Sequence, residues 1–81
     1  MIIKSQIILN NMAKILITGV AGLLGSNFSR YLLNKGHKVI GIDNFFGGYR
    51  DFVDDKVELY EGDLADMNFV SSVFSSTKPD Y

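Results

Sequence analysis

The residues best suited to chemistry lie in Thr18–Gly25, TGVAGLLG, where glycines stand at 19, 22 and 25 with two residues between each. An apolar run, Ile15-Leu16-Ile17, precedes them, and a helical pattern begins near Leu23. A strand, a tight glycine turn and a helix, in that order, form a corner that accepts a phosphate-type anion. Gly19 lets the chain turn sharply. Gly22 leaves room for a pyrophosphate to approach the backbone. Gly25 lets the helix press against the sheet. The N–H groups of Leu23, Leu24 and Gly25, in the helix's first turn, then face the anion, and the helix dipole favours negative charge there. A glycine turn that binds nothing would show the same triplet. The flanking strand and helix, with an acid downstream, favour a dinucleotide site.

That acid is Asp43, at the end of the second apolar run and about twenty residues beyond the glycines. A carboxylate there accepts hydrogen bonds from both hydroxyls of an adenosine ribose and repels a 2′-phosphate, which favours NAD over NADP. The competing reading is an ordinary acidic turn residue. Arg50 is the nearby cation that argues for NADP, although Asp43 would still face the phosphate.

TGVAGLLG resembles the TGxxGxxG signature of the extended short-chain dehydrogenase/reductase superfamily. The stretches GIDNFFGGYRDFV and VELYEGDLAD resemble its NAD-dependent epimerase/dehydratase family, the UDP-glucose 4-epimerase-like branch. The likeness runs from about Lys14 to Tyr81 and corresponds to the first part of such an enzyme. It implies bound NAD, a nucleotide-sugar substrate in a full-length parent, and oxidation of that sugar followed by its reduction. It also implies that Asn44, Phe45, Gly47 and Gly48 pass the adenosine end of the cofactor. Phe46 departs from the family's small polar residue, and Phe45 and Phe46 read equally well as packing under the loop. By the same resemblance Asp63 accepts from the exocyclic amine of adenine, while the Leu64 N–H meets a ring nitrogen. The competing reading makes Asp63 the start of a turn after Gly62.

Tyr31 and Lys35 spell YLLNK, which matches the superfamily's catalytic Tyr-x-x-x-Lys. Their position argues against that use. Lys35 lies some ~15–18 Å along the helix from the phosphate corner, and Tyr31 falls within the helix's apolar stripe. Tyr49 and Tyr60 have Val53 and Leu64 four residues on. His37 reads as a solvated turn residue, and the serines at 71, 72, 75 and 76 have no base nearby. The expected catalytic set is therefore empty.

The elements that must position these residues follow from periodicity. Lys14–Thr18 reads as a strand apolar on both faces, central in a parallel sheet. Leu23–Lys35 reads as a helix with Leu24, Phe28, Tyr31 and Leu32 on its buried stripe, ended by Gly36. Lys38–Ile42 is a second strand, and Asp51–Asp55 holds a short turn. Val57–Glu61 is a half-exposed edge strand, with Val57 and Leu59 opposed to Glu58 and Tyr60. Asp66 caps a helix over Met67–Ser76 with Met67, Val70, Val73 and Phe74 as its apolar face, and Pro79 stops it. The fold class is α/β, the N-terminal part of a Rossmann-like doubly wound parallel sheet, strand order 3-2-1, incomplete. Right-handed crossovers place the first helix on one face and the last on the other. They leave the first strand as an edge open to self-association.

Composition narrows the partners. A net charge of −1 over 81 residues gives no footprint for nucleic acid or an anionic membrane. Without cysteine and with one histidine, no disulfide framework or metal cluster is expected. No apolar run is long enough to span a bilayer. Met1–Asn11 lacks a signal peptide's unbroken apolar region, so the expected compartment is the cytoplasm. Residues 1–12 read as an extension outside the fold, with Met12 as the natural start, and residues 13–81 as a partial NAD-binding Rossmann domain. An extra edge strand at Ile7–Leu9 is the alternative. Three functions stay open: the NAD-binding segment of an epimerase or dehydratase, a non-catalytic NAD sensor, and an inactive truncated frame.

Overall fold

The computed structural model describes residues 12–81. The expectations for Met1–Asn11, including a strand at Ile7–Leu9, lie outside the described residues. The elements are β1 (Lys14–Thr18), α1 (Leu23–Asn34), β2 (Lys38–Asp43), a 3-10 turn (Arg50–Phe52), β3 (Glu58–Glu61) and α2 (Met67–Thr77). β1 pairs with β2 in parallel, Lys14 opposite Lys38 and Thr18 opposite Ile42. β2 pairs with β3 in parallel, Ile40 opposite Glu58 and Asp43 opposite Glu61. The strand order is 3-2-1, as the alternation of strands and helices requires.

Side chains leave this sheet on both faces. Val39 packs with Val20, Leu32 and Val57 beneath α1, joined by Ile15, Ile17 and Leu59. Ile40 and Ile42 pack with Val73 of α2 on the other face, joined by Leu16, Tyr60 and Phe69. Tyr60 therefore packs, half-buried, toward α2, and β3 is the half-exposed edge strand expected. Its phenol donates to Glu58.

Both helices start and stop where local chemistry dictates. α1 ends in a doubly bonded glycine motif. Gly36, at φ +91°, donates to the Leu33 carbonyl, and His37 N–H donates back to Leu32. The Asp66 side chain accepts from Phe69 N–H at 3.1 Å and caps α2.

The buried faces differ from the apolar stripes. On α1 the buried residues are Ser26, Ser29 and Leu32. Leu24 is 84% exposed, and Phe28 and Tyr31 are about half exposed. The cause is distance. A Cβ on Gly25 would lie 2.3 Å from the Gly19 carbonyl oxygen, so the helix sits too close to the turn and sheet for large side chains. Small serines fill that face, and their hydroxyls donate within the helix to Leu23 and Ser26 carbonyls. On α2 the inward residues are Phe69, Val70, Val73 and Thr77, while Met67 and Phe74 are exposed.

Two tertiary links replace expected solvent contacts. His37 Nδ1 accepts from Ala13 N–H at 3.1 Å, so this histidine pins the start of β1. The outer edge of β1 is partly covered by the segment after α2. Leu16 N–H donates to Tyr81 O at 3.0 Å, and Asp80 N–H donates to Lys14 O at 2.8 Å. Lys14 Nζ also reaches the Thr77 carbonyl at 3.1 Å. The edge of β1 is thus not bare along its first half.

Candidate functional site

The strand ends place their loops on one rim of the sheet. There an open cleft of about 200 Å³ is lined by Gly19, Ile42, Asp43, Asn44, Gly62, Asp63 and Leu64. Ends of all three strands contribute. That is the carboxyl edge of a parallel sheet, where α/β folds hold ligands.

Beside the cleft, α1 begins without a cap. Gly22 is its N-cap and offers no side-chain acceptor, and the first turn carries no acid. The first intrahelical bond is Ser26 N–H to Gly22 O at 2.9 Å. The N–H groups of Leu23, Leu24 and Gly25 consequently have no acceptor among the described residues. Such a terminus concentrates positive potential and unmatched donors at one point. A Cβ at Gly22 would lie 3.3 Å from Gly19 O, so the turn is tight at that position too.

Asp43 is 9% exposed and does more than face the cleft. Its Oδ2 accepts from Ala21 N–H at 2.9 Å, and its Oδ1 from Phe45 N–H at 2.7 Å. A carboxylate offers about four lone-pair sites, so two remain for a ligand. Ala21, which no sequence signal singles out, is the hub of this corner. It is fully buried, its N–H goes to Asp43, and its carbonyl accepts from Tyr49 N–H at 3.2 Å. Gly48 packs on the same spot, where a Cβ would lie 2.6 Å from Ala21 O. The glycine turn and the loop after β2 are therefore one packed unit.

The remaining expected residues fall in two places, in the cleft lining and outside it. Asn44 and Asp63 line the cleft, and each closes a side-chain turn on its own loop. Asn44 Oδ1 accepts from Phe46 N–H and Asp63 Oδ1 from Ala65 N–H, both at 2.9 Å. Leu64 lines the cleft as well, and its N–H has no acceptor among the described residues. Phe45 and Gly47 lie outside the lining. Phe45 takes φ 60° and carries the Arg50 guanidinium 4.4 Å above its ring. Phe46 is 96% exposed, so it does not pack under the loop.

None of the tyrosines lines the cleft. Lys35 Nζ lies 5.5 Å from the Tyr31 ring centroid at the far end of α1. The hydrogen bond to Glu58, then burial and the Glu58 charge, push the Tyr60 phenol above its ordinary value. That is opposite to what a proton-accepting phenolate needs. Among the described residues no group of acids and histidines could hold a metal ion. No helix among them is long and apolar enough to cross a membrane.

A parallel 3-2-1 sheet, an uncapped helix after a glycine turn and a carboxylate closing β2 define the N-terminal part of a Rossmann-like nucleotide fold. The chain belongs to the NAD dependent epimerase/dehydratase family, whose model matches residues 15–81. It is 41% identical over 66 residues to a UDP-glucose 4-epimerase of Lacticaseibacillus casei, covering 82% of this chain and 20% of that protein. A Lactobacillus helveticus UDP-glucose 4-epimerase is 37% identical over 67 residues, 83% of this chain and 20% of its own length. Among solved structures, the Bordetella bronchiseptica enzyme WbmH in complex with NAD+ superposes with a TM-score of 0.80 at 39% identity, over 86% of this chain and 24% of that one. The Thermotoga maritima UDP-glucose 4-epimerase with UDP-glucose gives a TM-score of 0.82 at 32% identity, over 84% and 22%. The chain thus spans about a fifth of the length of the curated relatives it matches.

Proposed function

We propose that this chain is the NAD-holding first segment of a nucleotide-sugar epimerase or dehydratase of the UDP-glucose 4-epimerase type, and carries no catalytic group of its own. One observation carries the reading. The unmatched N–H groups of Leu23, Leu24 and Gly25 adjoin a cleft lined by Asp43, Asp63 and Leu64. These groups are the donors and acceptors a dinucleotide needs. The helix terminus receives the pyrophosphate, the two unused acceptor sites of Asp43 take the ribose hydroxyls, and the Asp63 carboxylate with the Leu64 N–H meets the adenine edge. Asn44 flanks the adenosine, while Phe45, Gly47 and Gly48 shape the loop behind it. When bound, NAD supplies a hydride acceptor. The protein's own share is to bind, orient and neutralise its adenosine diphosphate half. Among relatives, the WbmH enzyme and the Thermus thermophilus UDP-glucose 4-epimerase were solved with NAD, which supports the assignment. The nucleotide sugar and the cytoplasmic setting come to this chain by family likeness.

A non-catalytic NAD-binding protein is the second reading, favoured by the absence of any tyrosine from the cleft. Titration of NAD into isotopically labelled protein tests the shared core of both readings. The expected result is shifted amide resonances at Gly19, Leu23–Gly25, Asp43 and Leu64. No shift at these positions sinks the assignment. Turnover of UDP-glucose by the purified chain would contradict the lack of a catalytic group. A Tyr-x-x-x-Lys coded directly downstream would favour the enzyme over the sensor.

A further inference from the structure

Asp43 and Glu61 are partners on adjacent strands at the cleft rim. The Arg50 guanidinium pairs with Glu61 and lies over the Phe45 ring, and the Phe45 N–H donates to Asp43 Oδ1. Arg50 is the sole cation between Asp43 and Asp55. It does not line the cleft. An arginine in this region is what accommodates a ribose 2′-phosphate where one is bound. Here the Glu61 carboxylate and the Phe45 ring hold it outside the cleft lining. We infer that Glu61 is a cofactor-selecting residue that acts through Arg50, holding the guanidinium away from the ribose 2′ position so that the site rejects a 2′-phosphate. The inference rests on the proposed NAD site. It makes Glu61 a positioning residue, since it touches Arg50 and not the nucleotide. Asp43 repels the extra phosphate directly, and Glu61 withholds the one cation that would offset that repulsion. Both groups are exposed, so a freed Arg50 swings toward a new anion at little cost in packing.

The test compares 5′-ADP with adenosine 2′,5′-bisphosphate, by calorimetric titration of the whole chain. Glu61→Ala is expected to narrow the preference for 5′-ADP by about fivefold, the scale of one exposed charge pair. Glu61→Asp, which retains the pairing carboxylate, should keep most of the wild-type ratio. Arg50→Gln combined with Glu61→Ala should restore the wild-type ratio, because no cation is left to move. Asp51→Asn removes the same charge from the same loop while leaving the Arg50–Glu61 pair, and should leave the ratio in place. A ratio unmoved by Glu61→Ala, or moved as far by Asp51→Asn, overturns the inference while the NAD site stands. If wild-type protein binds 5′-ADP not at all, the NAD site and this inference fall together.

Discussion

Asp43 joins two kinds of work in one carboxylate. Its oxygens fix the backbone of Ala21 in the glycine turn and of Phe45 in the following loop. In the proposed site its unused lone pairs face the ribose. Asp43→Ala is therefore expected to act twice. It leaves the buried Ala21 N–H without an acceptor, costing about 1–3 kcal/mol of stability. It also weakens NAD binding by on the order of tenfold or more and narrows the preference over NADP. Denaturant unfolding and calorimetric titration separate the two effects. Full stability with weakened binding would remove the structural half of the argument, and unchanged affinity for both cofactors the other half. Gly22→Val probes the neighbouring turn. A branched side chain there meets the Gly19 carbonyl and fills the approach to the helix terminus, so NAD binding should disappear. A normally folded variant that still binds NAD would contradict the phosphate cradle. The type and position of Asp43 were legible from its distance to the glycines. Its bond to Ala21 was not, because that bond spans a sequence separation of 22 and depends on how closely two strands' loops meet.

At the scale of elements, what is local was readable and what is tertiary was not. Gly36 and Asp66 mark helix ends through bonds within a few residues, and both stand at helix termini as the sequence predicts. Lys14–Thr18, expected to be central because it is apolar on both faces, stands at the edge of the sheet among the described residues. The buried side of α1 was misread, since periodicity weighs hydrophobicity whereas this helix is chosen for closeness. Gly25, Ser26 and Ser29 let it lie against the turn and sheet, and its Leu24, Phe28 and Tyr31 stripe faces outward. A pair of substitutions makes the distinction measurable. Ser29→Leu places a large side chain in a fully buried site and should destabilise by about 1–3 kcal/mol through overpacking. Leu24→Gln, at a position 84% exposed, should stay within about 0.5 kcal/mol. Paired chemical-denaturation midpoints check this. A larger loss for Leu24→Gln than for Ser29→Leu would mean that the stripe, not the serine face, is buried in solution. His37 was misjudged for a related reason, because its partner Ala13 lies 24 residues away in sequence.

At the scale of the whole molecule, the three strands and two helices of the described residues must hold an edge that is apolar on both faces. Ile15 and Ile17 lie under α1 and Leu16 under α2, yet all three remain only half-buried. Asp80 and Tyr81 lie along the edge as far as Leu16. Alternation along a parallel strand turns the backbone groups of Thr18 the same way as those of Leu16, away from β2. Among the described residues, the Thr18 end of this edge therefore offers backbone groups beside apolar side chains, a combination that recruits another strand. We propose that the 81-residue chain self-associates through this half of β1. Two variants separate the edge from general stickiness. Thr18→Lys puts a charge at the uncovered end and should weaken the association, as lysines on natural edge strands do. Asp80→Pro removes the N–H that donates to Lys14 and loosens the covering segment, so it should strengthen the association. Sedimentation velocity across a wide concentration range reads both. A wild-type chain that stays monomeric throughout, or a Thr18→Lys variant that associates as readily as wild type, would show that β1 is not the contact. The exposed stripe of α1 would then be the surface to mutate next.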